Sequence, residues 1–328
     1  MKILLTHTPQ SRTQYYGARS LDGLQAIAQV KLHESNDALD AAGLIEAARD
    51  VDIIVADRLT AGPGEIFPAL PNLRAFVRCA VDIRNVDVGA ASVAGVLVTR
   101  AGPGFVQSVA ELALGFMDDL TRGVSRATAD YHSERKPEIV LGRQLAGRCL
   151  GIIGYGSIGR YLADIAKVLG MEVLIADPFA TVSEQGLQHV PLDDLLARSD
   201  YVVCLAVANE QTENLIGQAT LARMQPHAFF INLSRGNLVD EAALSAALRE
   251  NRIAGAAMDV GRAPDQMPSP ELAKLPNVIA TPHIGGLTPP AIESQSLETV
   301  RQVEAIVAGR VPAGAVNVDR WTRQKPLR

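Results

Sequence analysis

The sequence contains few aromatic residues, and no long apolar segment is present. Aromatic side chains make up 4% of the 328 residues, whereas hydrophobic residues make up 48%, so Ala, Val, Leu and Ile must build the core. No apolar run approaches the roughly 20 residues of a membrane-spanning helix. The apolar run within residues 1–7 is too short for a signal peptide and predicts a first strand. We therefore expect a cytoplasmic protein without a membrane partner.

Cysteine and clustered positive charge are also scarce. The three cysteines, Cys79, Cys149 and Cys204, lie far apart in apolar contexts without a C-x-x-C pair, which predicts reduced core residues. We predict no bound metal. The formal net charge is −5 and no block of basic residues occurs, which argues against nucleic acid as a partner.

A glycine-rich motif is the most informative feature that the sequence does contain. The apolar run before Gly154 leads into G-x-G-x-x-G, then into a helical pattern and a second apolar run. Gly154 permits the tight turn, Gly156 lets the backbone approach a pyrophosphate, and Gly159 lets helix and strand pack closely. The helix that begins at Ser157 and Ile158 would present its N–H groups to that anion.

One carboxylate completes this motif about 20 residues after the glycines. Asp177 follows the second apolar run, 173–176. It would accept hydrogen bonds from a ribose diol and repel a 2′-phosphate. The sequence therefore predicts a βαβ dinucleotide-binding unit with NAD as the cofactor.

Alternating strand and helix patterns along the whole chain predict an α/β fold. A chain of this length fits two domains. We expect a small domain from 1–100 and 290–328 and a nucleotide-binding domain from 101–289, with a frayed tail from Arg320. The first domain is predicted to contain strands 2–6, 30–33, 52–56, 73–79 and 96–99 and helices 20–29, 37–50 and 85–91. Later elements are helices 108–123, 240–250 and 290–307 and strands 150–154, 172–176, 201–207, 228–233, 255–260 and 278–280.

Three further segments stand where predicted strands end. They are Asn232-Leu233-Ser234-Arg235-Gly236, Met258-Asp259-Val260 and Thr281-Pro282-His283-Ile284-Gly285-Gly286. Ligands of parallel sheets bind outside the carboxyl ends of the strands. Polar residues in these segments are therefore candidate site residues.

With these segments in view, the chain resembles the D-isomer-specific 2-hydroxyacid dehydrogenase family over nearly all of its length. "INLSRGNLVDEAALSAAL", "IAGAAMDV" and "NVIATPHIGG" look like that family's blocks, in the family's order. The resemblance implies two Rossmann-like domains with doubly wound parallel sheets, a flavodoxin-like substrate domain and an NAD-binding domain. It also implies a homodimer formed through the region 109–123.

The resemblance further implies a role for each candidate residue. Arg235 would pair with the substrate carboxylate and polarise the C2 oxygen, because a guanidinium binds carboxylates bidentately. His283 would exchange the C2 hydroxyl proton. Asp259 would hold the nicotinamide carboxamide, although a strand-end hydrogen bond is an alternative. The remaining residues predicted to line the cofactor are Leu233, Ser234, Gly285 and Gly286.

The catalytic glutamate of the family is missing from this chain. The family places a Glu, which hydrogen-bonds the histidine, a few residues after the position of Asp259. Here a gapless match gives Pro264 and a one-residue shift gives Ala263. A carboxylate partner normally raises the pKa of a histidine. Loss of the glutamate should therefore shift the activity in the reduction direction to lower pH. Asp265 or Gln266 could substitute, or this loop could be a surface connection.

The substrate loop of the small domain also departs from the family pattern. Its backbone N–H groups usually hold the substrate carboxylate from a glycine-rich turn, which matches Ala80, Val81 and Asp82 here. Ala80 and Asp82 occupy positions that the family mostly fills with glycine. An Asp beside a substrate anion is unfavourable unless it contacts a hydroxyl or ammonium group or faces solvent, and Arg84 could offset it. Asp82 therefore indicates either an unusual substrate or a solvent-facing loop.

These observations predict an NAD-dependent oxidoreductase. It would transfer hydride between the nicotinamide and C2 of a small D-2-hydroxy acid or 2-oxo acid. Two alternatives share the fold: a formate- or phosphite-type dehydrogenase, and a non-catalytic NAD(H)-sensing protein of the corepressor kind. Retention of Arg235 and His283 argues against the sensor.

Overall fold

The computed structural model of the protein describes residues 1–263 and 265–324, which form two α/β units. The first unit contains residues 1–105 and 289–324, and the second contains residues 106–288. The chain passes between the units after Phe105 and after Thr288. Each unit is built around a parallel sheet of its own.

The first unit has a five-stranded sheet in the order β2-β1-β3-β4-β5, and every neighbouring pair is parallel. Its strands are β1 Lys2–Leu5, β2 Gln29–Leu32, β3 Ile53–Ala56, β4 Ala75–Arg78 and β5 Leu97–Arg100. This is the flavodoxin-like strand order. The carboxyl ends of all five strands therefore lie at one edge of the sheet.

Helices cover both faces of this sheet. They are α1 Pro9–Tyr15, α2 Ala18–Ile27, α3 Ala41–Ala48, α4 Ile66–Ala69, α5 Val88–Val93 and, with numbering in chain order, α13 Pro289–Val307. Leu4 of β1 packs on the side of α3, α4 and α5. Its neighbours Ile3 and Leu5 pack on the side of α2 and α13. This alternation along one strand is what a sheet buried on both faces requires.

The second unit has a seven-stranded parallel sheet in the order β12-β11-β10-β9-β6-β7-β8. Its strands are β6 Cys149–Ile153, β7 Glu172–Ala176, β8 Leu187–His189, β9 Tyr201–Cys204, β10 Phe229–Asn232, β11 Gly255–Met258 and β12 Val278–Ala280. Its helices are α6 Val106–Arg122, α7 Val124–His132, α8 Ser157–Val168, α9 Leu192–Arg198, α10 Gln218–Leu221, α11 Glu241–Arg249 and α12 Pro270–Ala273. The strand order reverses between β6 and β9, which is where such sheets bind nucleotides.

The predicted α/β fold with two doubly wound parallel sheets is confirmed. Several predicted bounds were wrong. The helix predicted over 37–50 begins only at Ala41, because the Asp40 side chain caps it by accepting a hydrogen bond from Gly43 N. The strand predicted over 201–207 ends at Cys204. The elements that were not predicted are helices α1, α4, α7, α9, α10 and α12 and strand β8.

The prediction of a frayed tail from Arg320 was also wrong for the residues that the structure describes. Trp321 is 3% exposed, and its indole N–H donates to the Arg74 carbonyl. The guanidinium of Arg323 donates to the carbonyls of Leu70 and Leu73. The tail therefore closes the base of the first unit as far as residue 324, and residues 325–328 lie outside the described chain.

The three cysteines are buried free thiols, as predicted. Burial raises the pKa of Cys79 and of Cys204 to about 12, so neither side chain forms a reactive thiolate near neutral pH. Within the described residues, no helix has both the length and the apolar character needed to cross a membrane.

Candidate functional site

The glycine-rich turn follows β6 and leads into α8. Gly154 has φ 95°, and a Cβ there would lie 2.6 Å from Ala206 N. A Cβ on Gly159 would lie 2.5 Å from the Gly154 carbonyl oxygen. These two positions therefore exclude every larger residue. A Cβ on Gly156 would meet no atom within 4 Å, so the turn is open on the side where a pyrophosphate would approach.

Helix α8 supplies the anion-binding end of this turn. It begins at Ser157, and Gly156 at its N-cap position provides no side-chain hydrogen bond. The first-turn N–H groups, including those of Ser157 and Ile158, are thus not capped by a side chain. The site suits the diphosphate of a dinucleotide.

Asp177 lies directly after β7, beside the glycine-rich turn. Its Oδ2 accepts a hydrogen bond from Tyr155 N at 2.7 Å, and its Oδ1 accepts one from Phe179 N at 2.9 Å. Each carboxylate oxygen keeps further lone-pair capacity. The carboxylate is therefore fixed in place and can still accept from a ribose diol. These residues fit an NAD cofactor.

Arg235 follows β10, and its backbone is fixed by Asn232. The buried Asn232 amide donates to the Arg235 carbonyl at 3.0 Å and accepts from Ser234 N at 3.1 Å. The Ser234 hydroxyl donates to the Ala206 carbonyl at 2.6 Å. Leu233 is buried between these residues. The arginine therefore starts from a rigid turn that also contacts the segment after β9.

Asp259 follows β11 and holds the loop that carries His283. Asp259 is 2% exposed. It accepts hydrogen bonds from the Thr281 hydroxyl at 2.6 Å and from the backbone N–H groups of Ile284 and Gly285, each at 2.8 Å. The observed bonds correspond to the strand-end alternative. One carboxylate thus organises both sides of the candidate histidine.

His283 has a backbone conformation that is uncommon for a residue other than glycine. Its φ is 56°, in the left-handed region that non-glycine residues seldom adopt. The Asp259 bonds on either side sustain this conformation. Such strain concentrates at functional sites, where it orients a side chain. Gly285 packs against Asp259, since a Cβ there would lie 2.9 Å from Oδ2, and Gly286 follows it.

The loop after Asp259 packs against the Arg235 turn. A Cβ on Gly236 would lie 2.0 Å from the Gly261 carbonyl carbon, so the two backbones touch. Arg262 donates from Nε to the Val239 carbonyl at 2.9 Å and from Nη2 to the Asn237 carbonyl at 2.8 Å. This loop is therefore anchored next to Arg235.

The two candidate substitutes for the missing glutamate lie in the same loop. The Asp265 carboxylate accepts from Met267 N at 3.0 Å. Gln266 has φ 63°, and its carbonyl accepts from Gly261 N at 2.9 Å. Ala263 is described, whereas the Pro264 position lies outside the described residues.

The candidate substrate loop Ala80–Asp82 belongs to the first unit and follows β4. Ala80 is 8% exposed, and Val81 and Asp82 are half-buried. Asp82 accepts from Arg84 Nη2 at 2.6 Å and from Arg84 Nε at 3.0 Å. The predicted compensation of Asp82 by Arg84 is therefore present as a bidentate ion pair.

Asn232 and Thr281 belong to the strand-end segments whose polar residues were predicted as candidates, and both form hydrogen bonds that organise the site. Arg262 was not predicted, because nothing in its sequence context indicates that its guanidinium contacts the Val239 and Asn237 carbonyls and the side chains of Asn214 and Glu213. Among the described residues, no group of three metal-ligating side chains occurs.

Comparison with known proteins shows the family to which the chain is similar. The family described as D-isomer specific 2-hydroxyacid dehydrogenase, NAD binding domain, matches residues 114–285. The chain is 32% identical over 309 residues to a glyoxylate reductase of Thermococcus onnurineus, covering 91% of this chain and 92% of that protein. The crystal structure of the TT0316 protein from Thermus thermophilus superposes with a TM-score of 0.86 at 27% identity, covering 96% of this chain and 100% of that one.

Another group of relatives is considerably longer. The chain is 32% identical over 287 residues to a D-3-phosphoglycerate dehydrogenase of Mycobacterium leprae, covering 86% of this chain and 54% of that protein. The chain thus spans about half the length of these relatives.

Proposed function

The chain belongs to the D-isomer-specific 2-hydroxyacid dehydrogenase family, and we propose on that basis that it is an NAD-dependent oxidoreductase. It transfers hydride between nicotinamide C4 and C2 of a small D-2-hydroxy acid or 2-oxo acid. The observation that carries the proposal is that the nucleotide cradle, Arg235 and His283 all follow strands of one parallel sheet. Their strands therefore end at a common edge.

The two polar side chains take complementary parts in the reaction. Arg235 binds the substrate carboxylate and polarises the C2 oxygen, since a guanidinium remains charged and binds bidentately. His283 accepts the C2 hydroxyl proton in oxidation and returns it in reduction. When bound, NAD accepts or supplies the hydride. Asp259 positions His283, and a contact of its carboxylate with the nicotinamide carboxamide is part of the same proposal.

The Ala80–Asp82 loop is proposed to bind the substrate carboxylate through its backbone N–H groups. Arg84 offsets the charge of the Asp82 carboxylate, so this loop can lie beside a substrate anion that an unpaired carboxylate would disfavour. Glyoxylate and hydroxypyruvate, two small 2-oxo acids, are the substrates proposed for this site.

The test is a spectrophotometric panel. Purified protein is incubated with NADH or NADPH and a series of 2-oxo acids, and oxidation of the cofactor is followed. We expect turnover of glyoxylate or hydroxypyruvate with NADH, and its loss in His283→Gln and Arg235→Gln. Matched controls are His132→Gln and Arg310→Gln, two exposed positions. Tight NADH binding without turnover of any substrate would contradict the proposal and favour a sensor.

We propose that Asp265 or Gln266 replaces the missing glutamate as the partner of His283. The packing of their loop against Gly236, beside Arg235, supports this proposal. Replacing each residue with Ala should change the pH–rate profile of reduction in one of the two variants. If Asp265 is the partner, the profile moves to lower pH, because a lost carboxylate partner lowers the pKa of a histidine. An unchanged profile in both variants would exclude the two residues.

We further propose a cytoplasmic homodimer, formed through the region 109–123, that acts without nucleic acid or membrane partners. Free thiols support a reducing compartment. Beyond α6, the second unit exposes large apolar side chains: Val124, Tyr131, Ile139 and Leu141. Ile139 is 95% exposed and Leu141 is 98% exposed, which supports an interface that extends from this region into the segment after α7. Light scattering should show a dimer that Leu141→Asp dissociates and that Val93→Asp, at an exposed position of the first unit, leaves intact.

A further inference from the structure

Next to the glycine-rich turn, three side chains form a compact network. Tyr155 lies between Gly154 and Gly156 and is 4% exposed. The Arg160 guanidinium stacks over its ring, 4.3 Å from the ring centroid to Cζ. Arg160 Nη1 also binds Glu184 Oε1 at 2.5 Å. The three residues come from the turn, the first turns of α8 and the segment after β7.

This network is continuous with the ribose-reading carboxylate. Tyr155 N donates to Asp177 Oδ2 at 2.7 Å, so Arg160 is separated from Asp177 by a single residue, Tyr155. Burial raises the pKa of the Tyr155 phenol, and the neighbouring Glu184 carboxylate raises it further. The phenol therefore stays protonated, and its ring forms a fixed platform for the guanidinium.

Charge at this end of the sheet is balanced by the Arg160–Glu184 pair. Asp164, the next acidic residue along α8, is paired with Lys167 at 3.0 Å instead. His189 binds the Asp177 carbonyl, not its carboxylate, at 2.9 Å. Arg160 thus contacts the turn through the Tyr155 ring, and Glu184 engages its guanidinium. In dinucleotide sites, a carboxylate favours a ribose diol and a nearby arginine accommodates a 2′-phosphate.

We propose that Glu184 is a second determinant of NAD specificity, which acts by holding Arg160 away from a 2′-phosphate. The inference rests on the proposed use of NAD(H) by this chain. Glu184 lowers NADPH affinity in two ways: it adds negative charge near the diol site, and it occupies a guanidinium that would otherwise bind phosphate bidentately. Arg160 is therefore a latent NADP-binding residue.

Calorimetric titration of the purified protein with NADH and with NADPH tests this assignment without turnover. Glu184→Gln should strengthen NADPH binding by about fivefold or more, the factor of one charge-assisted contact near the surface. NADH binding should change by less than about twofold, since the ribose diol needs only Asp177. In Glu184→Gln combined with Arg160→Gln, the gain for NADPH should disappear.

A matched control separates this effect from a change in net charge. Glu172→Gln breaks the Arg198–Glu172 ion pair of 2.7 Å. This pair is about as exposed as the Arg160–Glu184 pair and lies at the opposite end of β7. It should leave the NADPH-to-NADH affinity ratio unchanged. The proposal is overturned if Glu172→Gln shifts the ratio as much as Glu184→Gln, or if the gain persists without Arg160. Failure of the parent protein to bind NADH would instead refute the proposed function.

Discussion

The Asp259 carboxylate accepts a hydrogen bond from the Thr281 hydroxyl at 2.6 Å, two residues before His283. On the far side of the histidine, the same carboxylate accepts from Ile284 N and Gly285 N. The histidine is thereby held at φ 56° between two anchored points. Its orientation depends on a residue from a neighbouring strand and not on its own loop alone.

Replacing Asp259 with Asn should weaken both folding and catalysis. The amide can accept at one oxygen only, so at least one buried N–H loses its partner, and a hydrogen bond to a charged group contributes about 1.5–3 kcal/mol. We expect the free energy of unfolding to fall by roughly 2 kcal/mol or more and kcat to fall at least about tenfold, because the histidine is misplaced. Urea unfolding and steady-state kinetics measure the two effects. Asp22→Asn, at an exposed position, serves as the control. A normal kcat in Asp259→Asn would show that Asp259 does not position His283.

Replacing Arg262 with Ala should affect substrate binding more than stability. Arg262 bridges the loop at Gly261 to the Asn237 and Val239 carbonyls, directly after the Arg235 turn. Its side chain is 36% exposed, so we expect a loss of stability of about 1 kcal/mol or less. A shifted Arg235 would bind the substrate carboxylate poorly and raise KM. Arg262→Lys, which lacks the forked donors, should raise KM less than Arg262→Ala but not leave it at the parent value. An unchanged KM in both variants would show that Arg262 does not position Arg235.

The nucleotide-binding half of the candidate site could be predicted from the sequence because its determinants are local. Gly154, Gly159 and Asp177 belong to one βαβ unit, in which strand, turn and helix fix their mutual positions. The contact between Asp259 and the His283 loop was not predicted as the main bond of that carboxylate. It joins residues 22–26 positions apart and depends on the pairing of β11 with β12.

The tail illustrates how composition misleads. Its lysine and arginine residues predict a solvated end, yet one apolar ring and two arginine–carbonyl contacts hold it to the first unit. Strand β8 was not predicted because its local composition is also misleading. Its sequence, LQH, has no apolar alternation, and it is a strand because it pairs with β7.

Trp321 should report the unfolding of the first unit. It is the single tryptophan of the chain, and at 3% exposure its fluorescence should be blue-shifted in the native state and red-shifted on unfolding. Trp321→Ala removes a large buried ring and should lower the stability of the first unit by about 3 kcal/mol or more. Trp321→Phe should lose less, chiefly the bond to Arg74. Solvent-exposed native emission together with an unaffected unfolding midpoint would contradict a docked tail.

His7, which follows β1, should make the first unit less stable in acid. Burial lowers its pKa from the ordinary 6.5 to about 4, an effect that nearby Asp57 partly offsets. Below pH 6.5 the unfolded chain binds the proton first, so the free energy of unfolding falls as the pH drops towards 4 and the contribution then levels off. The loss reaches roughly 3 kcal/mol at most. His7→Gln should therefore differ less from the parent protein at pH 4.5 than at pH 7 in urea unfolding followed by Trp321 emission. The exposed His132→Gln should follow the parent curve, and an equal deficit for His7→Gln at both pH values would show that folding does not lower the pKa of His7.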